Sequence, residues 1–208
     1  MTEIVQGSPE WFAQRVGKVT ASRVADVFAK TKTGYSASRA NYLAQLVAER
    51  LTGQPTDTFK NAAMQHGNDT EPQARMAYEA ATGLIVTEVA MIEHPRIPMS
   101  GASPDGFVGT DGLIEIKCPN TLTHIETFLF DKAPAKYTAQ MQWQMACTGR
   151  QWCDFVSFDP RMPEDMQLFI KRVERDHVLI AYYEDEVRTF LSEVDATVKN
   201  LIKLRSSK

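Results

Sequence analysis

The chain contains few cysteines and no long apolar segment. Its 208 residues include three cysteines, an odd number without the paired spacing of a zinc site, so we expect free thiols in a reducing cytoplasm. No stretch approaches the roughly 18 consecutive apolar residues that indicate a membrane span. The first residues also lack the basic start and apolar core of a secretory signal peptide. The sequence therefore predicts a cytoplasmic protein that has no membrane partner.

The chain also lacks a strong excess of charge and the usual motifs for nucleotides and zinc. Its net charge of −3 does not by itself favour a nucleic-acid-binding protein. No Gly-x-x-x-x-Gly-Lys-Ser/Thr motif occurs, which argues against ATP use, and the four histidines lack paired zinc-ligand spacing. Residues 1–50 hold seven Lys and Arg against four acids. A basic face that meets phosphates is one reading, although charge counting alone favours an ordinary mixed surface.

Helix signals dominate the first 83 residues. Ser8 followed by Pro9 is typical of a helix start, and glycines such as Gly53 follow the predicted helices as stop signals. Pro72 is expected to break or kink the fourth helical region, which places a boundary near Glu71. The predicted helices cover residues 8–17, 20–29, 36–53 and 61–82.

From residue 84 onward, short apolar runs predict strands that alternate with helices. The order predicts an α/β fold with a central mixed β-sheet flanked by helices, in a single domain spanning residues 1–208. That domain has a helical part at about 8–83, a sheet-containing core at about 84–175 and a last helix at about 176–204. The predicted strands cover residues 84–92, 99–102, 106–109, 113–117, 152–158 and 166–173, and the predicted helices between them cover residues 121–130 and 136–148.

One acidic motif lies within the strand-rich part of the chain. Residues 103–106 read Ser-Pro-Asp-Gly, a turn sequence, and Glu115 and Lys117 stand two apart in an apolar run. Side chains alternate along a strand, so Glu115 and Lys117 share one face while Ile114 and Ile116 fill the other. Asp105 can approach the Glu115 face from a neighbouring strand. The spacing predicts one site made of two acids and a lysine.

Two acids and a lysine are suited to cleaving a phosphodiester bond. Carboxylates hold Mg²⁺, which keeps several waters and binds phosphate oxygens. One or two such ions acidify the attacking water and stabilise the attacking and leaving oxygens. Lys117 supplies a compact cation that orients or deprotonates the water, or stabilises the developing charge. Taken alone, the triplet Asp105, Glu115 and Lys117 fits an ordinary surface hairpin at least as well.

Several blocks in a fixed order extend the motif and resemble one family. The chain resembles the phage λ exonuclease and YqaJ-type viral recombinase nucleases, which belong to the restriction-endonuclease-like PD-(D/E)xK superfamily. The resemblance runs from Trp11 to about Asp195, and its collinear blocks outweigh the surface-hairpin interpretation. They are Trp11 with residues 15–22; Gly67 with Glu71 and Arg75; residues 82–83; residues 103–106; residues 115–119; residues 139–142; and residues 158–162.

The resemblance implies an activity, a cofactor and partners. It implies a restriction-endonuclease-like core and 5′→3′ digestion of the 5′-phosphorylated strand of duplex DNA from its ends. The products would be 5′-phosphomononucleotides and a 3′ overhang used in recombination by strand annealing. It implies one or two Mg²⁺ ions, with Mn²⁺ as a substitute, and a ring-shaped homotrimer around the DNA. It also implies a single-strand annealing protein as partner and a phage or prophage origin within a bacterial host.

The resemblance also assigns roles to residues around the acidic motif. It makes Asp105, Glu115 and the backbone carbonyl of Ile116 metal ligands, and Lys117 the catalytic lysine. Glu71 matches an acid on a helix that completes the pocket through a metal-bound water or a second ion. Its alternative is an ordinary exposed helix acid, and Pro72 makes its placement uncertain. Gln140 matches a glutamine that supports the site by hydrogen bonds, whereas Gln142 points elsewhere on the helix.

The N-terminal block favours an exonuclease. Arg15 can form a bidentate contact to phosphate, and Thr20 and Ser22 stand at a predicted helix start where hydroxyls and free N–H groups bind anions. Together they predict a pocket for a terminal 5′-phosphate, although Thr20 and Ser22 also suit a simple helix cap. Met64 lies upstream of Glu71 and suits either a wedge that separates the strands or a core position.

Two other functions stay open at this stage. The first is an endonuclease of the same superfamily, which the N-terminal phosphate block disfavours. The second is a catalytically inactive scaffold that binds DNA ends. The intact set of Asp105, Glu115 and Lys117 argues against a scaffold, because an inactive relative usually loses one member.

Overall fold

The computed structural model describes residues 5–56 and 62–207. The first half is mainly helical, and Ser8 caps the first helix by accepting a hydrogen bond from the Trp11 N–H at 3.2 Å. Gly53 ends the third helix in the left-handed conformation, as predicted. The elements of this half are α1 (Pro9–Arg15), β1 (Val19–Thr20), α2 (Val24–Val27), β2 (Lys30–Thr31), β3 (Gly34–Tyr35), α3 (Ala37–Thr52) and α4 (Ala62–Thr82).

The second half alternates strands and helices and closes with a long helix. Asp176 caps that helix by accepting hydrogen bonds from the Val178 and Leu179 N–H groups. Among the described residues, no helix is long and apolar enough to cross a membrane. The elements are β4 (Val86–Thr87), β5 (Ile92–Glu93), β6 (Ser100–Ala102), β7 (Gly106–Val108), β8 (Gly112–Lys117), α5 (Thr121–Phe130), α6 (Thr138–Thr148), β9 (Trp152–Phe158), β10 (Leu168–Glu174) and α7 (His177–Ser206).

The predicted α/β arrangement with a mixed sheet and flanking helices is confirmed. The main sheet has the order β10-β9-β8-β7-β4, in which β8 and β9 are parallel and the other neighbours are antiparallel. The connection between the parallel strands contains α5 and α6, since parallel neighbours require a long crossover. A smaller sheet has the order β1-β6-β5, with β1 parallel to β6.

The predicted helix break at Pro72 is wrong. The helix α4 runs without interruption from Ala62 to Thr82 with Pro72 inside it. Proline removes one backbone donor and normally disrupts a helix interior. Here Ala74 and Tyr78, two and six residues beyond the proline, are completely buried against the sheet. Their packing offsets the local cost, so a tertiary interaction overrides the local signal.

Two further predictions of local structure are wrong. The helix expected at residues 20–29 is a 3₁₀ turn at Ala21–Arg23 followed by the single turn of α2. It cannot begin at Thr20, because Thr20 is in β1 and pairs with Gly101. The strand expected at residues 84–92 is divided into β4 and β5, because β4 joins the main sheet and β5 joins the small one.

Both faces of the main sheet are covered. On one face, Leu113 of β8 and Phe155 of β9 belong to the larger core, which α2, α3, α6 and α7 complete. On the other face, Ile114 and Ile116 pack with Tyr78 of α4 in a second cluster. The predicted alternation along β8 is therefore confirmed, since Ile114 and Ile116 lie on the face opposite to Glu115.

A hydrogen bond to a buried carboxylate ties α4 to the main sheet. The Tyr78 hydroxyl donates to the Asp154 carboxylate at 2.8 Å, and Arg172 donates to both oxygens of that carboxylate at 2.8 and 2.9 Å. Asp154 is only 3% exposed. Burial and the hydrogen bond to Asp154 raise the pKa of Tyr78, which keeps its hydroxyl a donor.

Replacing Tyr78 by phenylalanine is expected to lower the free energy of unfolding by about 1–2 kcal/mol. The change removes one hydrogen bond to a charged, buried acceptor and leaves the ring in place. Urea unfolding followed by circular dichroism measures the loss. Tyr35→Phe is the matched control, because the Tyr35 hydroxyl donates to Glu186 in an exposed position. Equal losses in the two variants would contradict the role of the buried bond.

Candidate active site

The main sheet brings the three predicted residues of the acidic motif together. Glu115 and Lys117 lie on β8, and their side chains form an ion pair. Asp105 directly precedes β7, which pairs with β8 in a register that places Gly106 opposite Ile114. The Asp105 Oδ2 atom consequently accepts a hydrogen bond from the Ile116 N–H at 2.6 Å. Two acids and a lysine thus converge from adjacent strands.

Glycine at position 106 makes this approach possible. A Cβ atom there would lie 2.2 Å from the Val86 Cγ1 atom and 3.2 Å from the Thr87 carbonyl oxygen. Any larger residue would therefore push β7 away from β4. The close packing of β7 against β4 therefore requires glycine directly after the catalytic candidate Asp105.

Two glutamines of α6 hold the Glu115 carboxylate. Glu115 is completely buried, and its Oε1 accepts from Gln140 Nε2 at 2.6 Å while its Oε2 accepts from Gln144 Nε2 at 2.5 Å. The structure thus places Gln140 beside the site as expected. Gln142 binds the Glu174 carbonyl and the Asp176 N–H instead. Sequence reasoning missed Gln144, although residues four apart share a helix face.

Glu71 also lies at the acidic site. Its carboxylate forms an ion pair with Arg75 one turn later on α4, at 3.0 Å. Burial raises the pKa of Glu71 above its ordinary value, the positive charge of Arg75 opposes that rise, and the charge of Glu115 adds to it. The charges of Glu115 and Lys117 both act on Glu71, so its carboxylate lies within electrostatic range of that pair. The continuous α4 helix therefore brings Glu71 to the site despite Pro72.

The site holds three carboxyl groups, and Lys117 is the cation that pairs with Glu115. Burial, followed by the charge of Glu115, raises the pKa of Asp105 well above its ordinary value, and Lys117 opposes that rise. Burial lowers the pKa of Lys117, but the charges of Glu115 and Asp105 outweigh it and raise that pKa overall. The pKa of Cys118 rises to about 12, mainly through burial and then through Glu71 and Asp105. One lysine thus faces three carboxyl groups.

The donor set fits a hard divalent cation. Within residues 5–56 and 62–207, no group of three or more His, Cys, Asp or Glu side chains forms a ready-made metal cluster. Mg²⁺ needs less, because it is usually bound by one or two carboxylates and keeps several waters. Asp105, Glu115 and the Ile116 carbonyl offer such oxygens. A cation there would also relieve the repulsion that raises the pKa of Asp105.

A second group of polar side chains adjoins the acidic site. The parallel pairing of β1 with β6 brings the N-terminal block to the segment that leads into Asp105. Arg15 donates to the Ser103 hydroxyl at 3.1 Å and to the Ser22 hydroxyl at 3.3 Å. Thr20 Oγ1 lies 3.5 Å from Ser22 Oγ. The three predicted pocket residues are therefore brought together, and Arg15 contacts Ser103, which lies two positions before Asp105 in the chain.

Two members of this group were not predicted as site residues. Ser103 accepts from Arg15 and also from the Trp11 indole N–H at 3.1 Å, and the Arg15 guanidinium lies 4.1 Å from the Trp11 ring centroid. The position of Ser103 within the Ser-Pro-Asp-Gly turn is the signal that sequence reasoning had available. Met64, the candidate wedge, lies outside the residues whose side chains are described.

Comparisons with known proteins agree with this geometry. The family described as YqaJ-like viral recombinase domain matches residues 10–151. Two structures of LHK-Exo, an alkaline exonuclease from Laribacter hongkongensis, are 57% identical and cover 96% of this chain and 99% of theirs. Their TM-scores are 0.90 and, for the complex with dAMP, 0.91.

More distant similarities were also found. A phage-related exonuclease from Haemophilus somnus 129PT has a TM-score of 0.72 at 18% identity, covering 88% of this chain and 96% of that chain, which shows a shared fold. The uncharacterized protein R354 of Acanthamoeba polyphaga mimivirus is 26% identical over 164 residues, or 73% of this chain. The chain spans 28% of the length of that curated relative.

Proposed function

Because this chain belongs to the YqaJ-like viral recombinase domain family, we propose that it is a Mg²⁺-dependent 5′→3′ exonuclease of double-stranded DNA. The substrate is the 5′-phosphorylated strand at a DNA end. The products are 5′-phosphomononucleotides and a 3′ single-stranded overhang for recombination by strand annealing. One observation carries the proposal: the group of Arg15, Ser22 and Ser103 lies next to the acidic site. That site contains Asp105, Glu115 and Lys117.

The comparisons confirm the coarser parts of this proposal and support one of its finer parts. The family predicted from sequence and its restriction-endonuclease-like fold are confirmed by the family match and by the similarity to an alkaline exonuclease. The prediction of a deoxyribonuclease is confirmed by the same 57% identity over nearly both chains. The complex of that relative with dAMP, a deoxynucleoside monophosphate, supports mononucleotide products.

Each residue of the acidic site has its own role in the proposed reaction. Asp105, Glu115 and the Ile116 carbonyl would hold Mg²⁺, with Glu71 acting through a water or at a second ion. When bound, the ion acidifies the attacking water and neutralises charge on the phosphate. Lys117 orients the water and stabilises the negative charge that builds on the phosphate oxygens. Mn²⁺ is expected to substitute because it takes the same oxygen ligands.

The hydrogen bonds around Glu115 keep this constellation in place. Gln140 and Gln144 each donate a hydrogen bond to one oxygen of the Glu115 carboxylate. These two bonds fix the orientation of the carboxylate relative to Asp105 and Lys117. Positioning of this kind matters because a misplacement of about 1 Å costs about 100-fold in rate. The two glutamines therefore act through Glu115.

The N-terminal group gives the reaction its polarity. Arg15 is a fixed, half-buried cation whose present partners are neutral hydroxyls of Ser22 and Ser103. A terminal 5′-phosphate would engage the guanidinium and the hydroxyls of Ser22 and Thr20. Water attacks the next phosphorus, and the bond to the 3′ oxygen of the terminal nucleotide breaks. The shortened strand then carries a new 5′-phosphate that can enter the same pocket.

Digestion of an end-labelled linear duplex tests the proposed function. The duplex is labelled separately at each 5′ and 3′ end and incubated with Mg²⁺ or with EDTA, beside a covalently closed circle. We expect Mg²⁺-dependent loss of the 5′-phosphorylated strand with the circle spared. Cutting of the circle would support the endonuclease, and end binding without cleavage would support the inactive scaffold.

Replacing Arg15 by alanine is expected to slow digestion of 5′-phosphorylated ends by about 10- to 100-fold. The change removes charge-assisted hydrogen bonds to phosphate, each of which contributes about 1.5–3 kcal/mol. Rates on duplexes with 5′-phosphate and 5′-hydroxyl ends are compared, with Arg188→Ala on α7 as the control. An equal loss on both kinds of end would contradict the pocket.

The family resemblance also supports an oligomeric state, a protein partner and a cellular origin for this chain. We propose a ring-shaped homotrimer that encloses double-stranded DNA, and a single-strand annealing protein as its partner. We also propose a cytoplasmic location in a bacterial host and a phage or prophage origin. Sedimentation of the purified protein with and without DNA tests the trimer directly.

A further inference from the structure

A cavity of about 260 Å³ opens between α5 and the segment that connects it to α6. Its lining combines the side chains of Thr123, Phe130, Lys132 and Lys136 with that of Glu126. Phe130 is 64% exposed, which is unusual for an aromatic side chain, and the Lys132 ammonium lies 5.6 Å from the centre of its ring. The cavity thus presents two lysines and an exposed aromatic ring to solvent.

The two lysines of this cavity have no acidic partner in the described part of the chain. Neither ammonium takes part in an ion pair there, whereas Lys117 pairs with Glu115 and Lys171 with Asp131. The nearby Asp131 is already bound to Lys171 at 2.8 Å. Lys132 and Lys136 therefore remain available to an external anion, in a chain whose net charge is −3.

Tyr137 connects the cavity to the catalytic lysine. Its ring centre lies 4.8 Å from the Lys136 Nζ and 5.2 Å from the Lys117 Nζ. The ring is held in place by stacking on Phe155, with centroids 5.6 Å apart. The Lys136 and Lys117 ammonium groups are therefore at most about 10 Å apart. The phosphates of one DNA strand rise about 3.4 Å per nucleotide along the axis, and adjacent phosphates lie further apart than that rise, so this upper limit corresponds to at most about three nucleotide steps.

We propose that Lys132 and Lys136 bind the phosphates of the DNA strand that flank the scissile phosphate at Lys117. This inference rests on the proposed function, because it takes the bond held at Lys117 to be a DNA phosphodiester. The two lysines belong to the segment that connects α5 to α6, whereas Arg15 and Ser22 belong to the N-terminal group. The exposed ring of Phe130 offers a stacking surface beside them for an unpaired base.

Salt-dependent DNA binding tests the subsite without relying on cleavage. A short 5′-phosphorylated duplex with a fluorescent label is titrated in EDTA at several salt concentrations, and the dissociation constant is obtained by anisotropy. Neutralising one phosphate changes the slope of log affinity against log salt by about 0.9. We expect Lys132→Ala/Lys136→Ala to bind about two- to fivefold more weakly per lysine and to reduce the slope by up to about 2.

Two control variants separate phosphate binding from a general loss of charge. Lys203→Ala, at the exposed end of α7, removes the same charge and should leave the slope unchanged. Lys132→Arg/Lys136→Arg should keep the wild-type slope, because it keeps both charges. A wild-type slope in the double alanine variant would overturn the subsite while leaving the proposed function intact. If the wild-type protein digested no DNA in the end-labelled assay, both proposals would fail.

Discussion

Replacing Lys117 by alanine is expected to lower the rate of strand digestion by at least about a thousandfold while DNA-end binding is retained. Lys117 is the cation paired with Glu115 on β8, and it faces the carboxyl groups of Asp105 and Glu71. Removing one group that stabilises transition-state charge costs about 100- to 1,000-fold. The loss here should lie at or above that range, because the carboxyl groups of Glu115 and Asp105 also lose the lysine whose charge offsets theirs.

Single-turnover digestion of a 5′-labelled duplex measures this effect. Lys30→Ala is the matched control, because Lys30 is an exposed lysine that pairs with Glu186 on the surface. The control should digest DNA at the wild-type rate, and both variants should keep the wild-type circular dichroism spectrum. Full activity of Lys117→Ala would remove the catalytic assignment of the Glu115 and Lys117 pair.

Replacing Asp105 by asparagine is expected to abolish digestion and at the same time to stabilise the metal-free protein. Burial and the charge of Glu115 raise the pKa of Asp105. The folded state therefore binds the Asp105 proton more tightly than the unfolded state does, and ionised Asp105 lowers stability at neutral pH. Asparagine removes that charge and retains an oxygen that can accept the Ile116 N–H bond.

Thermal unfolding with and without Mg²⁺ separates the two effects. In EDTA, the melting temperature of Asp105→Asn should exceed that of the wild type by about 2–4 °C for each kcal/mol gained. Mg²⁺ should raise the melting temperature of the wild type, since a ligand at 100 times its dissociation constant adds about 2.7 kcal/mol. It should not raise that of the variant. A variant that responds to Mg²⁺ like the wild type would show that Asp105 is not a ligand.

Local patterns in the sequence were sufficient for several structural predictions. The period of two along β8 correctly separated Glu115 from Ile114 and Ile116, because neighbouring side chains on any strand point to opposite faces. Ser8 and Gly53 correctly marked helix ends, because capping depends on the residue and its nearest backbone groups. Such features are decided over a few residues.

Predictions failed where distant segments compete with a local preference. Pro72 should break a helix, but the burial of Ala74 and Tyr78 against the sheet keeps α4 continuous. The run from residue 84 to 92 looks like one strand, but its two ends pair with β7 and with β6. Neither outcome is encoded in the nearest neighbours along the chain.

The sequence by itself determined which residue types are available for chemistry, their order, and the family that this order resembles. It determined the spacing of Glu115 and Lys117, because two positions on one strand need no other segment. Only the tertiary structure decided that Gln144 joins Gln140 at Glu115 and that Ser103 joins Arg15 and Ser22 beside Asp105. Those contacts depend on the docking of α6 and on the parallel pairing of β1 with β6, and such long-range packing is not visible in local sequence periodicity.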